Sequence, residues 1–341
     1  MKKHLIAAAV AAAVVAPAAM AQSTVTVYGI IDAGFQNFDN GADSYTRSTN
    51  NALATSRLGF RGSEDLGGGL KANFQLEATL NPSEGGVGST TANQTFNREA
   101  WVGVSGGFGE LRVGRQDVTF GQDIDSGASQ AGNLVFAAVG GSSGELGGDV
   151  SGVIKYITPK FNGFNAELGY SSGNATGAAS DGKAEQSGIF LQYMGGPLRV
   201  MAAYSKTEAP TSAAEQDMTR FGISYDFGMA SVGYTYTQSD VNLADDLKIS
   251  MVSAKVPLAN GIALHGLYGT GKVSGTSNKG DGYTLAVTKA LSKRTTLYAA
   301  YASVDNDPAG TFTLTSTTNS ATGQVAGVDT DSISVGIVHS F

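Results

Sequence analysis

Downstream of residue 21, apolar and polar residues alternate in segments of about ten residues, and the segments recur to the end of the chain. Alternation of period two sends successive side chains to opposite faces of a strand. Over 70–80, Leu70, Ala72, Phe74, Leu76, Ala78 and Leu80 share one face, and Lys71, Asn73, Gln75 and Glu77 the other. The spacing predicts sixteen strands: 24–36, 53–62, 70–80, 96–105, 109–116, 150–158, 164–172, 185–195, 197–207, 216–226, 229–238, 245–256, 261–270, 280–290, 294–304 and 331–341. Connections after the even-numbered strands are brief, as at 65–69, 106–108 and 226–228, and carry the Gly and Asn that tight reversals need. Most of those after the odd-numbered strands are long and polar: 37–52, 81–95, 117–149, 173–184, 208–215, 239–244, 271–279 and 305–330.

An ordinary compact domain rarely carries several structureless loops of that length. A closed barrel with an even number of strands does, with tight turns at one rim and long loops at the other. The pattern therefore predicts an all-β fold, a sixteen-stranded antiparallel transmembrane β-barrel whose outer face meets lipid and whose inner face meets water. A soluble sandwich would instead bury its alternating face against a second sheet. Against it, the final strand keeps Ile333, Val335, Ile337, His339 and Phe341 on one face up to the terminal carboxylate and leaves nothing to cap an edge. Tyr28, Tyr170, Tyr225, Tyr283 and Tyr298 lie near strand ends, where an interfacial girdle would place them.

The first residues read as a processing signal. Lys2 and Lys3 form a positive start, an apolar stretch runs from Leu5 to Val15, and Ala19-Met20-Ala21 supplies a cleavage site. The expected division is a signal peptide over 1–21 and a barrel domain over 22–341. Loss of the two lysines takes the formal charge from −7 to about −9. The chain has no cysteine, so neither a disulfide framework nor thiol chemistry is available. Its acidity argues against a nucleic-acid partner, which would demand a basic patch.

Catalytic motifs are weak. Two runs fit the loose G-x-S-x-G pattern, at 103–107 and 140–144, but neither leads into the helix that a nucleophile elbow requires. After removal of His4, only His265 and His339 remain, too far apart to give a metal-ligand spacing. His265 is the candidate base for a barrel hydrolase. No cofactor is implied. What stands out is charge on the inward parity: Arg57 and Arg61 in one strand, and Arg112 in another, where water accommodates what lipid would not. Arg98 and Arg115 carry the lipid-face parity and must lie at a boundary, at a subunit contact or in a strand of different register. If loop 117–149 folds inward, Asp117, Asp123 and Asp125 oppose these arginines across a narrowing, and opposed charge filters ions.

Five runs, STVTVYG at 23–29, SRLGFRGSEDLG at 56–67, GFGELRVGRQ at 107–116, LSKRTTLY at 291–298 and GIVHSF at 336–341, resemble those of the general porins of the Gram-negative outer membrane. The likeness is to the trimeric type of beta-proteobacteria and neisseriae, and it spans the mature chain. It implies a homotrimer of barrels in contact with outer-membrane lipid and lipopolysaccharide, each passing small hydrophilic solutes and ions through a passive channel. It also implies that the third long loop, 117–149, forms the constriction, and that the terminal Phe341 is read by the barrel-insertion machinery. The Pro-Glu-Phe-Gly run of enterobacterial constriction loops is absent, so no motif assigns individual aspartates in this loop. The arginines point to anion preference, because charge at the narrowest point acts through less water than charge at the mouths. A substrate-selective channel, a plugged adhesion barrel and the His265 hydrolase are the alternatives.

Overall fold

The structure, a computed structural model, describes residues 24–41, 43–89, 94–118, 120, 136–137, 149–173, 185–208, 215–241, 245–314 and 325–341. The expected signal peptide lies outside them. In chain order the strands begin with β1 Thr24–Asp39, β2 Ser44–Asn50, β3 Arg57–Gly67, β4 Leu70–Asn81, β5 Gly86–Val87, β6 Glu99–Gly106 and β7 Gly109–Asp117. They continue with β8 Phe136–Ala137, β9 Asp149–Ile157, β10 Phe164–Ser171, β11 Glu185–Gly195, β12 Leu198–Glu208, β13 Gln216–Asp226 and β14 Ser231–Val241. The last are β15 Asp245–Pro257, β16 Ile262–Val273, β17 Lys279–Ala290, β18 Thr295–Asn306, β19 Thr313–Leu314 and β20 Thr330–Ser340.

All the long pairings are antiparallel between neighbours, and β20 pairs with both β18 and β1, so the sheet closes on itself. The N-terminal half of β1, from Thr24 to Ile30, pairs with β3, and its other half, from Ala33, pairs with β2. Thus β2 and β3 are two pieces of one stave, and the barrel has sixteen staves. Closure leaves no strand edge whose N–H and C=O groups would face hydrocarbon, where each costs several kcal/mol.

The two faces separate as the alternation requires. Val102 is 60% exposed on the outside while its neighbour Trp101, facing the lumen, is 7% exposed. Ile333, Val335 and Ile337 point outward on β20, and Leu285 and Val287 on β17. Tyr170, Tyr225 and Tyr283 are exposed on the outer face. Tyr28 and Tyr298 are not girdle residues. Both point inward, Tyr28 donating to Glu77 Oε2 at 2.8 Å and Tyr298 to Asp32 Oδ1 at 2.8 Å.

The main correction lies in the first hairpin. Residues 44–50, expected within a loop over 37–52, form β2 and pair residue for residue with 33–39. This ribbon is polar on both faces, so a rule that looks for an apolar lipid-facing row passes over it. The stave then detours at 51–56 before β3, starting at Asn51 with φ 66°. Asp32, fully buried, holds the detour: its Oδ2 accepts from Leu53 N at 2.6 Å and Ala54 N at 2.8 Å, and its backbone N–H donates to Ser56 Oγ at 2.9 Å. The connection expected over 271–279 is likewise short, since β16 reaches Val273 and β17 starts at Lys279.

The seam is finished by the last residue. Phe341 and Gly29 exchange backbone hydrogen bonds of 3.0 and 3.2 Å, and the Phe341 ring covers Gly29 so closely that a Cβ there would overlap it. Gly29→Val is therefore expected to lower the yield of the compact, heat-modifiable form on detergent gels after refolding. A wild-type yield would contradict a tight seam.

Candidate functional site

The lumen face of β3, β4, β6, β7 and β9 carries most of the chemistry. Register places Arg57, Gly59 and Arg61 of β3 inward, against Thr79, Glu77 and Gln75 of β4. Glu77 and Gln75 in turn pair with Glu99 and Trp101 of β6. On β7, Leu111 and Val113 are exposed outside, which leaves Arg112 inside, level with Lys155 of β9. The wall is a patchwork in which each cation is braced. The Arg61 guanidinium lies 5.1 Å from the centre of the Tyr28 ring. Arg112 lies 4.0 Å over Trp101 and pairs with Glu110 at 2.8 Å. Cation–π contacts of this kind contribute about 0.5–2 kcal/mol and fix the direction of a long side chain.

Glu77 is a residue that parity placed inside but that no motif singled out. Its carboxylate is 2.6 Å from Arg98 Nε and 3.7 Å from Arg57 Nη1. This resolves Arg98: it precedes the first residue of β6, and its side chain turns inward to Glu77. Arg115 is resolved by a bulge. The β7–β9 register shifts between Gly114 and Gln116, and the Arg115 side chain donates to Asn97 O at 2.6 Å and to Ser151 Oγ at 3.0 Å. Asp117 ends β7, the strand of Arg112, so it lies on the same wall as the arginines rather than across from them. Asp123 and Asp125 fall outside the described residues.

Two loops enter the lumen. After β7 the chain turns inside, and Val118 and Phe120 become fully buried. Val118 presses on Gly169 of β10 and Gly188 of β11, where any side chain would collide with it. The Phe120 ring stacks on Phe190 at 5.4 Å and packs with Met201 and Ala203. Lys155 Nζ stands 4.8 Å over the same ring and 3.6 Å from Glu167.

The connection from β18 to β20 docks in the same manner. Phe312 is fully buried against Gly271 and Gly280, in a cluster with Phe38, Leu247, Met251, Leu267 and Val304 from the barrel wall. Asn306 ties its base, accepting from Phe312 N at 2.9 Å and donating to Phe312 O at 2.9 Å and Val328 O at 2.7 Å. Thr313 and Leu314 then pair in register with Ala137 and Phe136, so the last loop is hydrogen-bonded to the third. An apolar patch on a water-facing wall is a signal that strand-by-strand alternation missed: Leu247, Ile249 and Met251 continue an apolar row on the inward parity.

The first of the two serine runs lacks the elbow that the motif requires. Ser105 sits at the end of β6 before a tight turn into β7, strand–turn–strand rather than strand–turn–helix, and its hydroxyl accepts from Asn73 Nδ2 at 2.9 Å. The second such run, 140–144, lies outside the described residues. His265 Nε2 is 3.0 Å from the Thr288 hydroxyl, a contact across the β16–β17 ladder.

Comparison with known proteins agrees with this geometry. The sequence model of the Gram-negative porin family matches residues 7–311. The outer membrane porin protein 32 of Delftia acidovorans is 35% identical, with both chains covered in full. The major outer membrane protein P.IB of Neisseria meningitidis serogroup B is 29% identical over 72% of this chain and 73% of its own. Among solved structures, an anion-selective porin from Comamonas acidovorans superposes with a TM-score of 0.78 at 29% identity, covering 94% of this chain and all of that one. A closed, lipid-facing barrel with a charged, loop-narrowed lumen and these relatives is a passive diffusion channel of the outer membrane, and the chain belongs to the Gram-negative porin family.

Proposed function

We propose that this porin prefers anions among the small hydrophilic solutes it passes, and that Arg57, Arg61 and Arg112 form the positive wall of its constriction. The observation that carries the reading is the placement of these three side chains on the lumen face of β3 and β7, the latter running directly into the loop that turns inward at Val118 and Phe120. The likeness to a solved structure described as an anion-selective porin supports it. Acidic groups share the wall, so the preference is a net effect. In each pair the cation reaches water more than its acid does: Arg57 and Arg112 side chains are 29% and 25% exposed, against 5% for Glu77 and 17% for Glu110. Asp123 and Asp125 of the third loop supply the acidic side of the filter in this reading, whereas Asp117 stands on the arginines' own wall.

Three further roles belong to the same proposal. Residues 1–21 are removed on export, the mature barrels assemble as homotrimers among outer-membrane lipid and lipopolysaccharide, and Phe341 presents the end of the chain to the barrel-insertion machinery. The contact of Phe341 with Gly29 supports the last, because the residue that would be recognised is also the one that completes the seam.

A second reading, a channel selective for one class of solute, is favoured by the entry of two loops into one lumen. Conductance that saturates with a single solute would distinguish it.

Reversal potential across a salt gradient tests the main reading. Wild-type channels in a planar bilayer are expected to prefer anions, and Arg57→Ala to reduce that preference; cation preference in the wild type would overturn it. Loop docking is tested separately. Phe312→Ala removes about 3–5 kcal/mol of packing, and the expected outcome is a larger and noisier single-channel conductance. Conductance and noise equal to wild type would mean that the docked loop does not limit flow.

A further inference from the structure

We propose that Glu77 sets the strength of the pore's ion preference, as a positioning residue that withdraws one arginine into the wall and shares a second. This rests on the reading of the arginine wall given above and names a regulator of its charge. The Glu77 carboxylate receives Arg98 Nε at 2.6 Å and the Tyr28 hydroxyl at 2.8 Å, and it stands 3.7 Å from Arg57 Nη1. Exposure grades in the same order: the side chains of Glu77, Arg98 and Arg57 are 5%, 13% and 29% exposed. Counted by themselves, the two arginines and one carboxylate carry a single net positive charge, which Arg57 shows to the lumen, while Asp149 at the start of β9 acts electrostatically on both arginines. Tyr28 extends the group to a third arginine, since its hydroxyl binds Glu77 while its ring lies under the Arg61 guanidinium.

The arrangement has a consequence that exposure alone would not suggest. Arg98 is nearly hidden, yet its positive charge occupies the carboxylate that would otherwise neutralise Arg57. Removing Arg98 leaves Glu77 to cancel Arg57, and removing the Glu77 charge leaves the two arginines with Asp149 as their acidic neighbour, a gain of one positive charge on the wall. A short charge-assisted hydrogen bond such as that from Arg98 holds this partition in place.

The test is the anion-to-cation permeability ratio from reversal potentials in planar bilayers, measured at about 0.1 M salt, where charges act over about 10 Å. Glu77→Gln, nearly isosteric, is expected to raise the ratio about twofold, the influence of one charge through about 8 Å of water. Arg98→Gln is expected to lower it by a similar factor. Both shifts should shrink at about 1 M salt, where screening falls to about 3 Å; a change of pore shape would persist. A ratio unchanged or moved toward cations in Glu77→Gln, or unchanged in Arg98→Gln, overturns the inference. If one variant fails to give the heat-modifiable form, the other still decides. The sign of the wild-type preference tests the anion reading independently, because a cation-preferring wild type that shifts as described would keep Glu77 in this role.

Discussion

Everything in this molecule depends on the absence of a sheet edge. Hydrocarbon offers no hydrogen-bond partner, so the first and last staves must find each other, and here they do so over the whole register from Ile30 opposite Ser340 to Asp39 opposite Asp331. Phe341 then adds two backbone hydrogen bonds to Gly29, and its ring covers that residue, which has no side chain to obstruct it. Because ring closure satisfies the backbone, side chains are free to serve two solvents at once. Outward positions carry Val, Leu and Ile for lipid, and inward positions are released from packing and can hold charge.

That release also creates a problem, since an open polar tube has nothing to hold a loop in its middle. The wall supplies two apolar seats. One is the glycine pair Gly169 and Gly188 beside Phe190 and Met201, which accepts Val118 and Phe120. The other is the inward row from β15 to β18, which accepts Phe312 at Gly271 and Gly280. Burying an aromatic side chain contributes roughly 1.5–3 kcal/mol, enough to keep a short segment docked without a rigid loop. The backbone pairing of Thr313 and Leu314 with Ala137 and Phe136 links the two seats, so neither loop is positioned alone.

Where strands face lipid, the sequence was readable almost to the residue: 185–195 and 216–226 coincide with β11 and β13, and most of the others shift by one to three positions. The signal is strong there because lipid demands an apolar residue at every second position. It fails along β2, which has no apolar row for the alternation to show, and at irregularities, where Arg98 stands before its strand and Arg115 beside a bulge. Tyr28 and Tyr298 were misplaced because a tyrosine suits both an interface and a lumen hydrogen bond, and only its parity against Val25 and Val27, or against Leu297, separates the two. The inward arginines were legible from parity. Glu110, two residues before Arg112 on the same strand, shares its face by spacing alone, but the partners Glu77 and Glu167 meet their cations across strands, which no linear spacing records.

The distribution of charge follows from the same division of labour. Arg57, Arg61 and Arg112 stand on staves whose backbones are locked by two ladders each, whereas the docked loops are held by a few aromatic contacts. These arginines keep their position when a loop shifts, whereas Lys155, which lies over the Phe120 ring, ties part of the wall charge to the third loop. Substitutions at Phe120 or Phe312 act on the opening. The Glu77 network joins β1, β3, β4 and the residue before β6 through side chains alone, so its charge is held by four positions on the wall rather than by a docked loop.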